Sequence, residues 1–168
     1  MSNEPPFQLV DTEHAREKAQ RLFERVRNSL VPLLPSDVDI RHIGATAVPG
    51  CLTKGDLDIV IRVPGKAFQQ ADALLARHFA RNDGSVRTAS FSAFEDATTD
   101  PHLGIQLTMI SGPHDFFHLF VEALRRSPEL VSEYNTLKLL HEGNDMAIYR
   151  AAKDAFVERV LEGTRSNQ

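Results

Sequence analysis

The chain of 168 residues holds a single cysteine, Cys51, so it can form neither an internal disulfide nor a cysteine-based zinc cluster. Nothing in that usage argues for an oxidising compartment. Long hydrophobic runs are also missing. The apolar runs within 30–34 and 57–61 are far shorter than the ~18 residues a membrane span requires. The start, Met1-Ser2-Asn3-Glu4-Pro5-Pro6, lacks the basic and apolar regions of a signal peptide, so a soluble cytoplasmic protein with no membrane partner is expected. Nor is there an excess of positive charge. Nineteen Lys and Arg against 23 Asp and Glu leave a net charge of −4, which gives no electrostatic basis for wrapping a nucleic-acid duplex. A small substrate, or a nucleotide neutralised by a metal ion, stays compatible with that balance. No internal repeat or low-complexity tract is present.

What is present is globular. Apolar residues at 42% and charged residues at 25% exclude disordered and fibrous classes. The length fits the prior of ~100 to 200 residues per domain, and a core of that size needs no disulfide or structural metal. One domain over 1–168 is expected, with the polar, proline-bearing residues 1–8 as a flexible lead-in.

The apolar spacing then sets out the elements. Ala15, Ala19, Leu22, Val26 and Leu30 recur at helical intervals behind a cap at Asp11 or Thr12, and Pro35 is expected to end that helix. Val38, Ile40 and His42 alternate with Asp37, Asp39 and Arg41 as a half-buried strand. Residues 44–50, with two glycines and a proline, predict a loop with at most a short turn. The strand at 56–63 puts Leu57, Ile59, Ile61 and Val63 on one face and Asp56, Asp58, Val60 and Arg62 on the other. A helix over 68–79, a strand over 86–94, a polar loop over 95–101 and a strand over 103–110 follow. From His114 onward the pattern is helical, with a restart at Ser127-Pro128 and a break at Gly143-Asn144. Strands mixed with helices in this order predict an α+β or α/β domain with a small mixed sheet.

Chemistry concentrates where the glycine loop meets the acidic strand. Asp56 and Asp58 lie two apart on one strand face, at a separation of ~6 to 7 Å. That spacing can bracket a divalent cation. Mg²⁺ takes hard oxygen ligands and commonly combines one or two carboxylates with substrate phosphates, which a glycine-bearing loop lets backbone amides approach. The pattern points to metal-assisted phosphoryl or nucleotidyl transfer, with Mg²⁺ or Mn²⁺ on Asp56 and Asp58. The alternative is a strand whose solvent-facing side happens to be acidic, which composition alone favours.

The stretch Arg41-His42-Ile43-Gly44-Ala45-Thr46-Ala47-Val48-Pro49-Gly50-Cys51-Leu52 resembles the His-Ile-Gly-Ser-Thr-Ala-Val-Pro-Gly-Leu signature of GrpB-like proteins. Ser127-Pro128-Glu129-Leu130 with Glu133-Tyr134 and Lys138, and Tyr149-x-x-Ala152-Lys153-x-x-Phe156-Val157, are similar to later motifs of the same family. The resemblance covers about residues 8 to 162. It implies a nucleotidyltransferase-like α+β fold, a small mixed β-sheet with flanking helices and a helical C-terminal region. It also implies a superfamily pattern of Gly-Ser, a spacer, then Asp-x-Asp. Three departures stand out. Ala45 replaces the usual serine, Asp56 stands where many relatives carry an apolar residue, and no third carboxylate is evident. The face of the last strand offers Gln106 and Thr108, and the nearest acids, Glu95, Asp96 and Asp100, fall in the expected loop.

The expected activity is a metal-dependent nucleotidyl or phosphoryl transferase that uses a nucleoside triphosphate and a small acceptor. Asp56 and Asp58 would be the catalytic and metal-binding residues, and Gly44, Ala45, Thr46, Lys54 and Arg62 the phosphate-binding ones. The other reading is a catalytically degenerate domain that binds a nucleotide, a metabolite or a protein. Of the remaining candidates, His42 is read as a buried, hydrogen-bonded histidine in preference to a catalytic base. His114-Asp115-x-x-His118 lacks a further ligand for zinc, and Asp115 is expected to cap a helix. Cys51 lacks the partners of a nucleophile. Tyr134, Lys138, Tyr149 and Lys153 are read as packing residues that the resemblance also makes candidates for a cleft wall.

Overall fold

The computed structural model describes residues 5–167. Helix α1, Thr12–Leu30, opens where Asp11 accepts a hydrogen bond from the His14 N–H at 2.8 Å, and it buries the five apolar residues its spacing predicts. It ends at Leu30 rather than at Pro35. The N–H groups of Leu33 and Leu34 both turn back to the Leu30 carbonyl, so the chain leaves the helix through a tight turn before the proline.

Five strands follow: β1 Asp39–Ile43, β2 Leu57–Val63, β3 Ala80–Arg81, β4 Phe91–Asp96 and β5 Leu103–Met109. They form one sheet in the order β1-β2-β5-β4-β3, with β2 and β5 parallel and the other pairs antiparallel. A parallel pair needs a crossover, and α2, Phe68–His78, lies within it. Three helices complete the chain: α3 Phe117–Arg126, α4 Pro128–His141 and α5 Met146–Ser166.

Both faces of the sheet are covered. Leu57, Ile59, Ile61, Ile105, Leu107 and Phe94 pack under α1 and α2. On the other face Ile43 and Val60 pack with Phe120, Val121, Phe156 and Val160 of α3 and α5. Val60 is fully buried on the side of β2 that also carries the aspartates. The C-terminal helices cover that face at Val60, while Asp56 and Asp58 stay partly exposed.

Two sequence expectations are corrected here. The fourth strand begins at Phe91 rather than Val86 and runs through Glu95 and Asp96, which were expected in a loop. Pairing with β5 sets its limits: Phe91 faces Thr108 and Asp96 faces Leu103, whereas Val86 lies outside the ladder and is 59% exposed. Within the expected flexible lead-in, Phe7 is 1% exposed. Its ring stacks on Tyr149 at 4.0 Å, and its N–H donates to the Asn144 carbonyl at 3.0 Å, so this segment is pinned to the start of α5. Met1 to Glu4 of that lead-in lie outside the described residues.

Candidate functional site

The loop between β1 and β2 is held from several sides. A short 3₁₀ turn, Ala45–Ala47, follows Gly44, and Arg125 of α3 donates Nε and Nη2 to the Ala47 carbonyl at 3.2 and 2.8 Å. His42 of β1 contacts Thr46 Oγ1 at 2.8 Å, and that hydroxyl reaches the Asp56 carbonyl at 3.1 Å. From α4, Asn135 donates to the Gly50 carbonyl at 2.9 Å and accepts the Leu52 N–H at 2.8 Å. Lys138, 2% exposed, donates to the Leu52 carbonyl and to Cys51 Sγ at 3.4 Å, with its ammonium 3.9 Å from the Tyr134 ring centre. Burial pulls the Lys138 ammonium down to about 8, a cost accepted where the cation ties α4 to the loop at Cys51 and Leu52.

Asp58 sits where this loop meets the sheet. Its carboxylate lies between two glycines: a β-carbon on Gly44 would stand 2.9 Å from Oδ2, and one on Gly104 of β5 would stand 2.7 Å from Oδ1. Gly44 has φ +77°, a conformation that favours glycine, so backbone and close approach both require that residue. Gly104 is the direct neighbour of Asp58 in the parallel pair. Among the described residues no hydrogen bond or ion pair engages the Asp58 carboxylate. Its pKa is raised above the usual carboxylate value by burial, opposed by Lys153 of α5 and reinforced by Asp56. Asp56, just before β2, is paired with Lys54 at 3.0 Å. A partly buried carboxylate without a partner, beside a second carboxylate, gains from a cation.

The structure therefore brings together Gly44, Ala45, Lys54, Asp56 and Asp58. Thr46 lies at the same turn, but the residue is 3% exposed and its hydroxyl is engaged with His42 and the Asp56 carbonyl. Arg62 is not brought to the site. It lies four residues along β2 from Asp58, ~13 Å at strand rise. Nε and Nη2 grip Asp115 at 2.6 and 2.8 Å, and Nη1 binds Asp39 at 2.7 Å. Asp115 does not cap α3 as expected: it accepts from Arg62 and from the Ser111 N–H at 2.9 Å.

His42 is hydrogen-bonded as expected, but half-buried rather than buried. It packs beside Phe23, with ring centres 5.4 Å apart, and lies 3.2 Å from Gln20 Oε1. His114 stacks on Phe91, and no group of three His, Cys, Asp or Glu residues that could hold a metal occurs among the described residues. Glu95 faces Gly104 across β4 and β5, so it is two strands from Asp58, and it pairs with His102 at 3.4 Å. Two features of the site escaped the sequence reading. Gly104 was passed over, although an isolated glycine within a strand pattern signals a close approach. His102, whose charge bears on Asp58, fell between the expected loop and strand and was given no role.

A mixed sheet with a glycine loop leading into an aspartate strand defines a nucleotidyltransferase-like fold, and the solved structures agree. The Cid1 poly(U) polymerase bound to MgATP superposes with a TM-score of 0.53 at 11% identity, over 79% of this chain and 43% of that one. GrpB from Enterococcus faecalis matches more fully, with a TM-score of 0.70 at 20% identity over 86% of this chain and 91% of that one. The family model described as GrpB protein matches residues 9–163, and the chain belongs to that family. A UPF0157 protein of Vibrio cholerae is 33% identical over 156 residues, 92% of this chain and 82% of the relative. Another UPF0157 protein, from Streptomyces coelicolor, is 31% identical over 136 residues.

Proposed function

We propose that the protein is a metal-dependent nucleotidyl or phosphoryl transferase that uses a nucleoside triphosphate and a small acceptor, with Asp56 and Asp58 as its metal-binding and catalytic pair. The observation that carries this reading is the Asp58 carboxylate, cradled by Gly44 and Gly104 and left without a hydrogen-bonding partner in a partly buried position. The donor set fits one Mg²⁺ or Mn²⁺: two hard carboxylates from this chain, with the remaining places filled by phosphate oxygens and water. Held there, such an ion would supply charge neutralisation on the transferring group and orientation of the attacking oxygen. The bound MgATP of Cid1, a protein of like fold, supports the same assignment.

The chain's own residues have separate tasks. Gly44 and the backbone of Ala45 and Thr46 present a surface without bulky side chains on which phosphates can lie. Lys54 exchanges its contact with Asp56 for a phosphate oxygen, and Lys153 supplies positive charge from the helical side. Arg62 has no part, since its donors hold Asp39 and Asp115.

A specific observation favours a second reading, in which the domain binds a nucleotide or metabolite without turnover. Ala45 lacks a hydroxyl and no third acid joins the pair among the described residues. The discriminating experiment measures thermal unfolding and triphosphate turnover with Mg²⁺ or Mn²⁺, in the wild type and in Asp58→Asn. A ligand at ~100 times its Kd adds ~2.7 kcal/mol, or roughly 5 to 10 °C for this chain length. The transferase reading predicts a metal-dependent shift and turnover, both lost in the variant. A shift without turnover across a panel of acceptors supports the binding domain, and no shift with any triphosphate contradicts both nucleotide readings.

A further inference from the structure

A sizeable cleft of the molecule lies away from the acid pair. It opens between α1, the outer edge of β1 and α3, with a volume of about 800 Å³, and neither Asp56 nor Asp58 lines it. That size falls within the ~300 to 1,000 Å³ of small-molecule sites. Its wall carries five arginines and three glutamates. We propose that this cleft is a second ligand site, which takes a small, multiply charged oxyanion, a phosphate ester or a polycarboxylate, on the guanidinium groups of Arg16 and Arg125.

The argument rests on which cations are already satisfied. Arg41 is neutralised by Asp39 at 2.8 Å and Glu122 at 3.0 Å. Arg125 pairs with no carboxylate among the described residues. Two of its nitrogens are used by the neutral Ala47 carbonyl, and the rest of this exposed guanidinium is open to solvent or a ligand. Among the described residues Arg16 pairs with Glu13 at 3.3 Å, and its buried Nε has no hydrogen-bond partner there. His42, on the wall between them, is pushed down to about 4 by burial and then by the charges of Arg125 and Arg16. Arg125 is thus without a carboxylate partner and Arg16 has a donor to spare, and guanidinium forks match oxyanions in geometry as well as charge. The site is joined to the acid pair from behind, since the contacts of His42 with Thr46 and of Thr46 with the Asp56 carbonyl run from one to the other. This inference does not depend on the transferase reading.

The test titrates the full chain with inorganic phosphate and, separately, with citrate, at constant ionic strength set by chloride and in the presence of a chelator. Binding is read by calorimetry and by the His42 imidazole resonances. Saturable binding of either anion that moves those resonances supports the site; phosphate alone identifies a phosphate ester as the ligand class, and citrate alone a polycarboxylate. Arg16→Gln, which keeps a helix-favouring residue on α1, should weaken binding at least about tenfold, as loss of one charge-assisted contact does. Arg125→Gln should do the same, and Asp58→Asn should leave the affinity unchanged. If neither anion perturbs His42 saturably, or if Arg16→Gln binds as the wild type does, the proposal is wrong.

Discussion

The two ends of β2 carry charge in opposite ways. At Arg62 every charge is answered: the guanidinium is shared between Asp39 and Asp115, and Asp39 also holds Arg41, which reaches Glu122. Burial alone would raise Asp39 and Asp115, yet hydrogen bonds from the arginines and from Ser111 hold both carboxyls below their ordinary value. At Asp58, on the same face of the same strand, the carboxylate is raised and no side chain bonds to it. Two glycines make room where Arg62 has partners. A network that closes on itself supports the fold, whereas a charge that the fold surrounds with glycine is available to a ligand.

The largest effect should come from breaking the closed end. Arg62→Ala strands two acids, of which Asp115 has a side chain only 7% exposed, and should cost about 3 kcal/mol in urea unfolding, the low end for opening a buried pair. A loss below about 1 kcal/mol would show that the network does not close as described.

Gly104→Ala puts a β-carbon 2.7 Å from Asp58 Oδ1. It should cost about 1 to 2 kcal/mol and abolish any metal-dependent nucleotide shift, because the carboxylate must swing away. Full retention of that shift would remove the glycine cradle from the account.

His42 sharpens the comparison through pH. Its folded value, about 4, lies below the ordinary 6.5, so the unfolded chain binds the extra proton between those limits. Stability is complete above about 6.5 and falls with decreasing pH toward 4, by at most about 1.4 kcal/mol per pH unit. His42→Gln should flatten that slope relative to the wild type in paired thermal melts. Parallel curves would place the missing charge elsewhere.

The smallest effect is a gain. Asp58 has a folded value above the ordinary 3.8, so its ionised form costs stability once pH exceeds 3.8, and the cost levels off above the folded value. Asp58→Asn should therefore raise the unfolding midpoint by about 2 to 4 °C at neutral pH, equivalent to about 1 kcal/mol. The gain should vanish near pH 3.8. A destabilised variant at neutral pH would mean that the carboxylate has a structural partner after all.

Much of this was legible in the residues. The helical spacing of Ala15 to Leu30, the alternation of Leu57 to Val63 and the glycine loop before the aspartates are local patterns, and local patterns fixed the elements and the acid pair. What escaped depends on contacts distant in sequence. Arg62 was read as a phosphate ligand because its strand face is the same as that of Asp58, and nothing near it announced Asp115, 53 residues away. Glu95 was placed in a loop because residues 95–101 are polar, whereas the ladder with β5 fixes the strand. The later family motifs marked Lys138 and Lys153, but only the packing of α4 and α5 shows that one ties the loop and the other charges the site.

The most direct test of the central claim is anomalous diffraction from crystals grown with Mn²⁺ and a non-hydrolysable nucleoside triphosphate. The account predicts a Mn²⁺ peak in contact with the carboxylates of Asp56 and Asp58, with phosphate oxygens completing its coordination above Gly44. A triphosphate bound away from Gly44, or Mn²⁺ held by other residues while the pair keeps its present contacts, would contradict it.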